Sequence, residues 1–233
     1  FILSTVVTAG LVYALNRPWG DTLPMPAGKF FSPQLGFWQN AEPADESFDA
    51  ELNFPNLKGR AEVLFDERLV PHVFAENDED AYFVQGYLHA SFRLWQMDIQ
   101  TRAAAGRVSE IVGEAGLKHD RSFRRLGMVY AAENALVEME KDPETKAASD
   151  AYTAGVNAYI ESLTESSLPL EYKILGYFPE KWDNLKSALF LKYMSYDLTG
   201  HENDFEMTNA KSWFNKQEFD LLFPLHRDSL MPV

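Results

Sequence analysis

Hydrophobic and polar positions alternate in the region where the chain first shows a regular pattern. Ala61, Val63 and Phe65 occupy every second position, and a polar stretch at residues 66–68 separates them from a second apolar stretch at residues 70–75. Alternation with a period of two is typical of a β-strand that buries one face. The pattern therefore predicts two strands joined by a turn.

From residue 79 onward, hydrophobic residues recur at the spacing of one face of an α-helix. Asn77 or Asp78 can cap the first and longest helical segment. The apolar face of that segment consists of Val84, Tyr87, Leu88, Ser91, Leu94, Trp95 and Ile99. Helices are predicted over residues 79–103, 125–141, 144–163, 183–198 and 207–222. The chain is therefore predicted to be mainly α, with a few β-strands near its start.

The N-terminal residues follow neither pattern. Residues 1–15 are apolar and uncharged, and Asn16 and Arg17 end the run. The run is shorter than the roughly 20 apolar residues that span a bilayer. It fits the hydrophobic part of a signal peptide, the end of a membrane anchor, or a buried N-terminal helix. We assign residues 1–16 to a signal peptide or membrane anchor, and favour a retained anchor on an exported protein.

Residues 17–58 contain much of the proline of the chain, with several glycines between. Because proline fixes φ and lacks an amide proton, this composition predicts an extended segment with short turns, lying over another surface. Its buried anchors are expected to be Phe30, Phe31, Phe37 and Trp38. Residues 59–233 then form the main predicted domain.

Composition narrows the function classes. A hydrophobic content of 46% and an aromatic content of 14% are globular values. The formal net charge of -14, with no basic cluster, argues against a nucleic acid partner, because binding phosphates requires clustered Lys and Arg. The absence of cysteine excludes disulfides, thiolate nucleophiles and zinc sites that use cysteine.

No complete catalytic motif is present. The chain has no glycine-rich nucleotide loop, no HExxH and no GxSxG, and its five histidines are scattered. Arg93 lies beside the apolar face of the first helix, so we expect a carboxylate to neutralise it. Arg102, Arg107 and Glu110 are interpreted as structural ion pairs or as catalytic groups, and the structural interpretation is favoured.

Residues 194–206 combine apolar positions with a dense set of oxygen donors. Calcium takes six to eight oxygen ligands, so this stretch is a candidate calcium site, although its spacing is not that of an EF-hand loop. A solvated acidic loop is the alternative interpretation.

Residues 66–113 resemble the penicillin amidase family of N-terminal-nucleophile hydrolases. The positions that carry the resemblance are Asp66, Pro71, His72, Ala75, Asp80, Gly86, Tyr87, Ala90, Arg93, Leu94, Gln96, Met97, Arg102, Gly106, Glu110 and Gly113. It continues through Tyr152, Gly155, Asn157 and Ala158, then Pro169, Glu171, Gly176, Pro179 and Trp182. It covers residues 59–222, which is most of the chain.

The resemblance implies that this chain is the α subunit of an αββα hydrolase. In that family the precursor cleaves itself, and the N-terminal Ser of the larger β chain is the nucleophile, with its own α-amine as the base. It implies a β chain from the same precursor as partner and a small N-acyl compound as substrate, for example a penicillin or an acyl-homoserine lactone. With the apolar N-terminus, it places the protein at the bacterial cell envelope, on the periplasmic face, with membrane attachment through residues 1–15.

The resemblance also implies where this chain contributes to the site. Met194 and Leu198 match the positions that line the acyl pocket, and Glu206 matches a ligand of a structural Ca²⁺ ion. Leu198 replaces an aromatic residue of the family, which allows a longer aliphatic acyl group. No residue of this chain is expected to be catalytic.

Two other interpretations remain open on sequence grounds. A membrane-tethered envelope scaffold that kept the fold without catalysis is suggested by the apolar N-terminus and the proline-rich segment. A helical binding module unrelated to the family is disfavoured by the number of motif matches.

Overall fold

The computed structural model describes residues 1–20, 25–41, 49–199 and 204–223. The chain divides into two compact units, residues 1–193 and residues 194–233. The strands are β1 (Ala61–Phe65) and β2 (Pro71–Ala75). The helices are α1 (Ile2–Leu15), α2 (Ala27–Phe30), α3 (Asp78–Ala105), α4 (Ser109–Val112), α5 (Leu117–Leu126), α6 (Met128–Met139), α7 (Pro143–Ser162), α8 (Leu170–Leu175), α9 (Asn184–Thr199), α10 (Asp204–Trp213) and α11 (Lys216–Leu222), with 3-10 turns at Phe37–Asn40 and Gly113–Gly116.

The two strands form the predicted hairpin. They are antiparallel, with Ala61 opposite Ala75 and Phe65 opposite Pro71. Asp66 holds the turn, because its carboxylate accepts hydrogen bonds from the backbone amides of Arg68 and Val70, both at 2.9 Å. A short polar side chain that binds nearby amides favours a turn over a continued strand. The predicted pair of strands is therefore confirmed.

Helix α3 begins and ends where its sequence provides caps. The side chain of Asn77 accepts a hydrogen bond from the amide of Asp80 at 2.9 Å, and Gly106 ends the helix in the left-handed conformation, with φ of 65°. Helix α7 starts in the same way, because Asp142 accepts from the amide of Thr145 and Pro143 occupies the first turn. These local signals explain why the observed bounds of α3 and α7 lie close to the predicted ranges 79–103 and 144–163.

Helices α3 and α7 pack closely because each presents a glycine to the other. A Cβ atom on Gly86 would lie 2.1 Å from the carbonyl oxygen of Tyr152, and one on Gly155 would lie 1.9 Å from that of Phe83. Any side chain at either position would therefore force the helices apart. Around this contact lies a core cluster of buried residues: Ala90, Leu94, Val156, Leu168, Tyr172 and Trp182. A second cluster joins α3, α6 and α9 through Ala104, Met128, Ala132, Ala188 and Leu189.

Two predicted helices are in fact pairs of helices. The segment predicted at 125–141 is interrupted by Gly127, which takes a left-handed conformation with φ of 69° between α5 and α6. The segment predicted at 207–222 is interrupted before α11, where Asn215 and Glu218 form a reciprocal capping box. In both places, the local turn chemistry overrides the continuous apolar spacing.

The aromatic residues of the N-terminal segment are not buried anchors, contrary to the sequence expectation. Phe31 is 56% exposed and Trp38 is 57% exposed, while Phe30 and Phe37 are half-buried. The four rings pack on one another instead, with centroid separations between 4.3 and 5.9 Å. Among the described residues of this segment, the side chains that are buried are those of Met25 and Ala27.

Helix α1 carries the apolar run predicted to be a signal peptide or membrane anchor. None of its residues is buried. Within the residues described, no helix is both long enough and apolar enough to cross a membrane. The assignment of residues 1–16, and the boundaries at residues 17–58 and 59–233, stay predictions.

Candidate functional site

Met194 and Leu198, the residues assigned to the acyl pocket, both lie on the last turns of α9, in the second unit. They are four residues apart, so they share one face of the helix. Met194 is 41% exposed and Leu198 is 69% exposed. Their assignment to an acyl pocket stays a prediction, but both apolar side chains are available for contact with other groups.

Glu206 lies in the first turn of α10 and is exposed. Its carboxylate makes no hydrogen bond or ion pair with the described residues. Over residues 1–20, 25–41, 49–199 and 204–223, no group of three His, Asp or Glu side chains is arranged to hold a metal ion. Glu206 could therefore supply one ligand, with the remaining oxygens coming from elsewhere. Glu202 and Asn203 of the same stretch lie outside the described residues.

The first unit contains a concave surface, here named the α3–α7–α9 groove, with a cavity volume of about 500 Å³. Its lining residues are Tyr82, Gln85, His89, Arg93, Gln96, Met97, Gln100, Ala148, Ser149, Tyr152, Trp182, Ser187 and Phe190. Trp182 is buried at 6% exposure, and its indole nitrogen donates to the hydroxyl of Ser187 at 2.9 Å. The groove therefore has an apolar floor and a polar rim.

The polar rim of the groove includes a histidine and a tyrosine that are hydrogen-bonded to each other. His89 Nδ1 and Tyr152 Oη are 3.0 Å apart. Burial lowers the pKa of His89 and raises the pKa of Tyr152, so both groups are favoured in their neutral forms. Of the two serines that line the groove, Ser149 donates to the carbonyl oxygen of Thr145 and Ser187 accepts from the indole nitrogen of Trp182. The groove thus shows no nucleophile–base pair of its own.

Arg93 lies on the rim, and within the described part of the chain it does not meet the carboxylate that the sequence predicted for it. It is exposed, and it forms no ion pair with any described acidic side chain. The reason is a break in α3, since the backbone at Arg93 has φ of -139° and ψ of 15°. The break turns the side chain out of the apolar face, and the guanidinium therefore needs no buried partner.

The arginine that is buried with carboxylates is Arg102. Its Nε donates to Asp98 at 2.9 Å, one of its terminal nitrogens donates to Glu110 at 3.0 Å, and the other lies 3.2 Å from Glu180. Asp98 also accepts from Tyr177 at 3.1 Å. Burial raises the pKa of Tyr177, as do the nearby Asp98 charge and hydrogen bond, which keeps its hydroxyl protonated as a donor.

Arg107 closes this ion-pair network at the surface. It donates to Glu110 at 2.7 Å and to Glu180 at 2.8 Å. The hydrogen bonds from Arg107 are the main reason that the pKa of Glu180 falls to about 2. The favoured interpretation of Arg102, Arg107 and Glu110 as structural ion pairs is supported by this geometry.

Asp98 and Glu180 were missed by sequence reasoning. The four-residue spacing of Asp98 and Arg102 is the signal that could have identified the first pair, because such residues face each other on a helix. Glu180 lies 78 positions after Arg102 in the numbering, and no local pattern relates them.

The penicillin amidase family profile matches residues 60–229, which is well over half of the chain. The chain belongs to the penicillin amidase family. The resemblance identified from residues 66–113 is therefore confirmed.

The chain is also similar to several proteins that are named as acylases. Penicillin acylase 2 proenzyme of Pseudomonas sp. strain SE83 is 37% identical over 141 residues, covering 60% of this chain and 18% of the relative. Acyl-homoserine lactone acylase QuiP of Pseudomonas aeruginosa is 36% identical over 119 residues, covering 51% of this chain and 14% of the relative. Penicillin G acylase of Escherichia coli is 28% identical over 130 residues, covering 54% and 15% respectively. The chain thus matches less than a fifth of the length of these relatives.

The fold of this penicillin amidase family chain matches a solved structure, thermostable penicillin G acylase from Alcaligenes faecalis. The TM-score is 0.58 at 22% identity, and the match covers 76% of this chain and 97% of the other chain. The predicted fold class, a mainly α chain with a few strands of the type found in the α subunit of an N-terminal-nucleophile hydrolase, is confirmed.

Proposed function

We propose that this chain is the α portion of a self-processed amide hydrolase whose nucleophile is the N-terminal Ser of a β chain. The substrate is an N-acyl compound of the penicillin or acyl-homoserine lactone type, and the reaction cleaves its linear amide bond. The observation that carries the proposal is the family match over residues 60–229 together with relatives that are named as acylases.

The site geometry supports a catalytic centre that is completed by another polypeptide. The groove contains a neutral His89–Tyr152 pair, and its two serines bond to the Thr145 carbonyl and to Trp182 rather than to His89. More than four fifths of each cited relative lies outside the matched region, which leaves room for a β chain with its nucleophile and oxyanion-hole donors. One relative is named a proenzyme, which agrees with autoproteolytic processing into an α/β heterodimer.

In the proposed enzyme, Met194 and Leu198 line the acyl pocket. Their exposure on one face of α9 leaves them available to contact a substrate. Leu198 presents an aliphatic side chain, so the proposed substrate carries an aliphatic acyl group that is longer than phenylacetyl.

Glu206 would hold a structural Ca²⁺ ion together with ligands from other segments. Its exposed carboxylate suits a hard cation that prefers oxygen ligands. The ion would supply a bridge between segments and no chemistry. Glu206→Gln should weaken calcium binding to the purified heterodimer, and Asp220→Asn on α11, outside residues 194–206, is the control.

The test of the main proposal is intact mass measurement and N-terminal sequencing of everything that copurifies with this chain, when its full native gene is expressed. A larger partner that begins with Ser is the expected result. Replacing that Ser with Ala should then leave an uncleaved precursor without acylase activity. A partner that begins with a residue lacking a nucleophilic side chain, or no partner, would contradict the proposal.

The proposed location is the periplasmic face of the bacterial cell envelope, with attachment to the membrane through residues 1–15. The uncharged, exposed α1 supports this assignment. Cell fractionation with an epitope at the C-terminus checks it, because the protein should remain in the membrane fraction after a high-salt wash.

The same exposed helix favours a second candidate, a membrane-tethered envelope scaffold without catalysis. The two candidate functions differ in the residue that they require at the start of the β chain. A scaffold requires no Ser there, and acyl substrates would be left intact by the purified protein.

A further inference from the structure

Helix α1 presents apolar side chains on all of its sides. No residue from Ile2 to Leu15 is charged, and only Ala14 and Leu15 are partly buried. The large apolar side chains that are more than half exposed are Phe1, Ile2, Leu3, Val6, Val7, Leu11, Val12 and Tyr13. A helix that is apolar all round is typical of a protein core or of lipid. The described part of the chain does not enclose this helix, so lipid is the environment that fits it.

Residues typical of a membrane interface follow at the C-terminal end of α1. The guanidinium of Arg17 lies 4.3 Å from the ring centroid of Tyr13, and the indole nitrogen of Trp19 donates to the carbonyl oxygen of Ala14 at 3.0 Å. Trp19 is 60% exposed. Tyr and Trp are enriched where apolar segments leave the bilayer, and long basic side chains reach the headgroups there. This end of α1 therefore marks the level of the lipid headgroups.

The next exposed aromatic residues lie beside that end. The aromatic cluster consists of Phe30, Phe31, Phe37 and Trp38, whose rings pack on one another. It starts two residues after Gly28, where an added Cβ atom would lie 3.1 Å from the Cβ of Leu15. The cluster is therefore joined directly to the headgroup end of α1.

The cluster is held in place by polar contacts that do not involve its rings. Lys173 is 5% exposed, and its ammonium donates to the carbonyl oxygen of Gly36 at 3.1 Å and to Asn40 Oδ1 at 2.7 Å. Asn40 in turn donates to the carbonyl oxygen of Leu168 at 2.9 Å. Since the backbone is fixed in this way, the outer rings of Phe31 and Trp38 are presented in a preorganised arrangement that does not depend on their own burial.

Charge distribution also distinguishes this part of the chain. Residues 1–41 contain two basic residues, Arg17 and Lys29, and one acidic residue, Asp21, although the whole chain has a formal net charge of -14. The charges here are nearly balanced, and Lys29 is paired with Glu165, so this surface carries no large negative charge that anionic headgroups would repel.

We propose that the aromatic cluster is a second membrane contact, in which Phe31 and Trp38 enter the headgroup region of a phospholipid bilayer beside α1. The proposal rests on the membrane attachment of residues 1–15 proposed above, and it is independent of amide hydrolysis. Its effect is to hold the body of the protein at the bilayer surface and to prevent it from swinging freely on a tether.

The test uses the full chain, transferred from detergent into phosphatidylcholine vesicles in which part of the lipid is brominated on its acyl chains. Bromine quenches only tryptophan that lies in or next to the bilayer. Wild-type protein and Trp38→Phe are compared, so that the quenched signal of Trp38 is separated from that of Trp19. The expected result is a measurable loss of the quenched fraction in Trp38→Phe.

A binding measurement complements the quenching. The double variant Phe31→Ser/Trp38→Ser should partition into the same vesicles about tenfold less than wild type, because membrane binding scales with the apolar area inserted. The control Phe74→Ser/Tyr130→Ser removes two exposed rings outside the cluster, with exposures of 59% and 73%, and should partition as wild type does. Circular dichroism of each variant checks that the fold is kept.

Three results would contradict all or part of the proposed membrane contact. If the chain binds vesicles but Trp38→Phe shows the same quenched fraction as wild type, the aromatic cluster is not a membrane contact, and the attachment through α1 stands alone. If the chain does not bind vesicles at all, both the cluster contact and the α1 attachment are wrong. Equal losses of binding in the double variant and its control would also contradict a specific role for the cluster.

Discussion

At the scale of single residues, Arg102 is a buried charge that depends on its ion-pair partners. Its side chain is 6% exposed, as is that of Asp98, and their ion pair spans 2.9 Å. Removing one partner of a buried pair leaves the other charge desolvated and uncompensated, at a cost of about 3–5 kcal/mol. We therefore predict that Arg102→Ala lowers the free energy of unfolding by that amount, measured by urea denaturation of the purified protein.

Arg107 provides the control for Arg102. It contacts two of the same carboxylates, Glu110 and Glu180, but its side chain is 35% exposed. Pairs in contact with water contribute about 1 kcal/mol or less. Equal losses of stability in Arg102→Ala and Arg107→Ala would show that burial does not decide the strength of this network.

The lowered pKa of Glu180 predicts how the stability of the fold depends on pH. Hydrogen bonds from Arg107 lower its pKa from 4.5 to about 2 in the folded chain. Because the folded state binds the proton less tightly than the unfolded state, ionised Glu180 stabilises the fold near neutral pH. That contribution is lost as the pH falls from about 4.5 to about 2. Glu180→Gln should flatten the acid limb of a stability–pH curve in this window, and an unchanged slope would contradict the assignment.

Residue-level prediction from the sequence succeeded where the signal is local. Asp66 was identified as part of a turn, and its carboxylate binds amides two and four residues away. Arg93 was assigned a buried partner because ideal helical spacing placed it beside the apolar face. The break in α3 at that residue is not encoded in the periodicity, and no carboxylate among the described residues pairs with Arg93.

At the scale of elements, the pairing of α3 with α7 depends on Gly155. Glycine in a helix is normally replaced by alanine with a gain of about 1 kcal/mol. Here the added Cβ atom would lie 1.9 Å from the carbonyl oxygen of Phe83, so the helices must separate. We predict that Gly155→Ala lowers the free energy of unfolding by about 3 kcal/mol, in the upper range of overpacking.

The control for Gly155 lies in α1. Gly10 is also a helical glycine, and a Cβ atom there would meet nothing within 4 Å. Gly10→Ala should therefore leave the midpoint of thermal unfolding unchanged or raise it slightly. A Gly155→Ala protein as stable as wild type would mean that α3 and α7 are not in such close contact.

The sequence predicted those helices and strands whose boundaries are set by residues close to them in the chain. The hairpin and helices α3, α7 and α9 follow from alternation, helical spacing and caps. The break at Gly127 was missed, because a left-handed glycine interrupts a helix without interrupting its apolar pattern. Exposure of Phe31 and Trp38 was also missed, since aromatic residues in a proline-rich segment give no indication of which side they face.

At the scale of the whole molecule, the candidate site could not be derived from periodicity at all. Met194, Leu198 and Glu206 were selected by resemblance, and their neighbours in the proposed enzyme belong to a polypeptide beyond this chain. What the structure adds is that all three side chains are exposed in the second unit. A site shared between polypeptides has this property, because each chain alone presents only part of the lining.

A substitution at Leu198 tests the proposal that its side chain lines the acyl pocket. If its side chain lines the acyl pocket, an aromatic ring in its place will shorten the pocket and favour aromatic acyl groups. We expect Leu198→Phe in the processed enzyme to shift the ratio of kcat/KM for a phenylacetyl amide over a decanoyl amide by about tenfold or more, since one or two methylene groups in a pocket are worth about 1–3 kcal/mol.

The matched control is Leu221→Phe on α11, which makes the same substitution at an exposed position, with 81% of the side chain accessible. It should leave the ratio unchanged. Changes in kcat/KM that are equal for both substrates would indicate a general effect of Leu198→Phe on folding or chain association. If Leu198→Phe changes the ratio and Leu221→Phe does not, the side chain at residue 198 distinguishes the two acyl groups. It can do this only by contacting the substrate or the wall of the pocket.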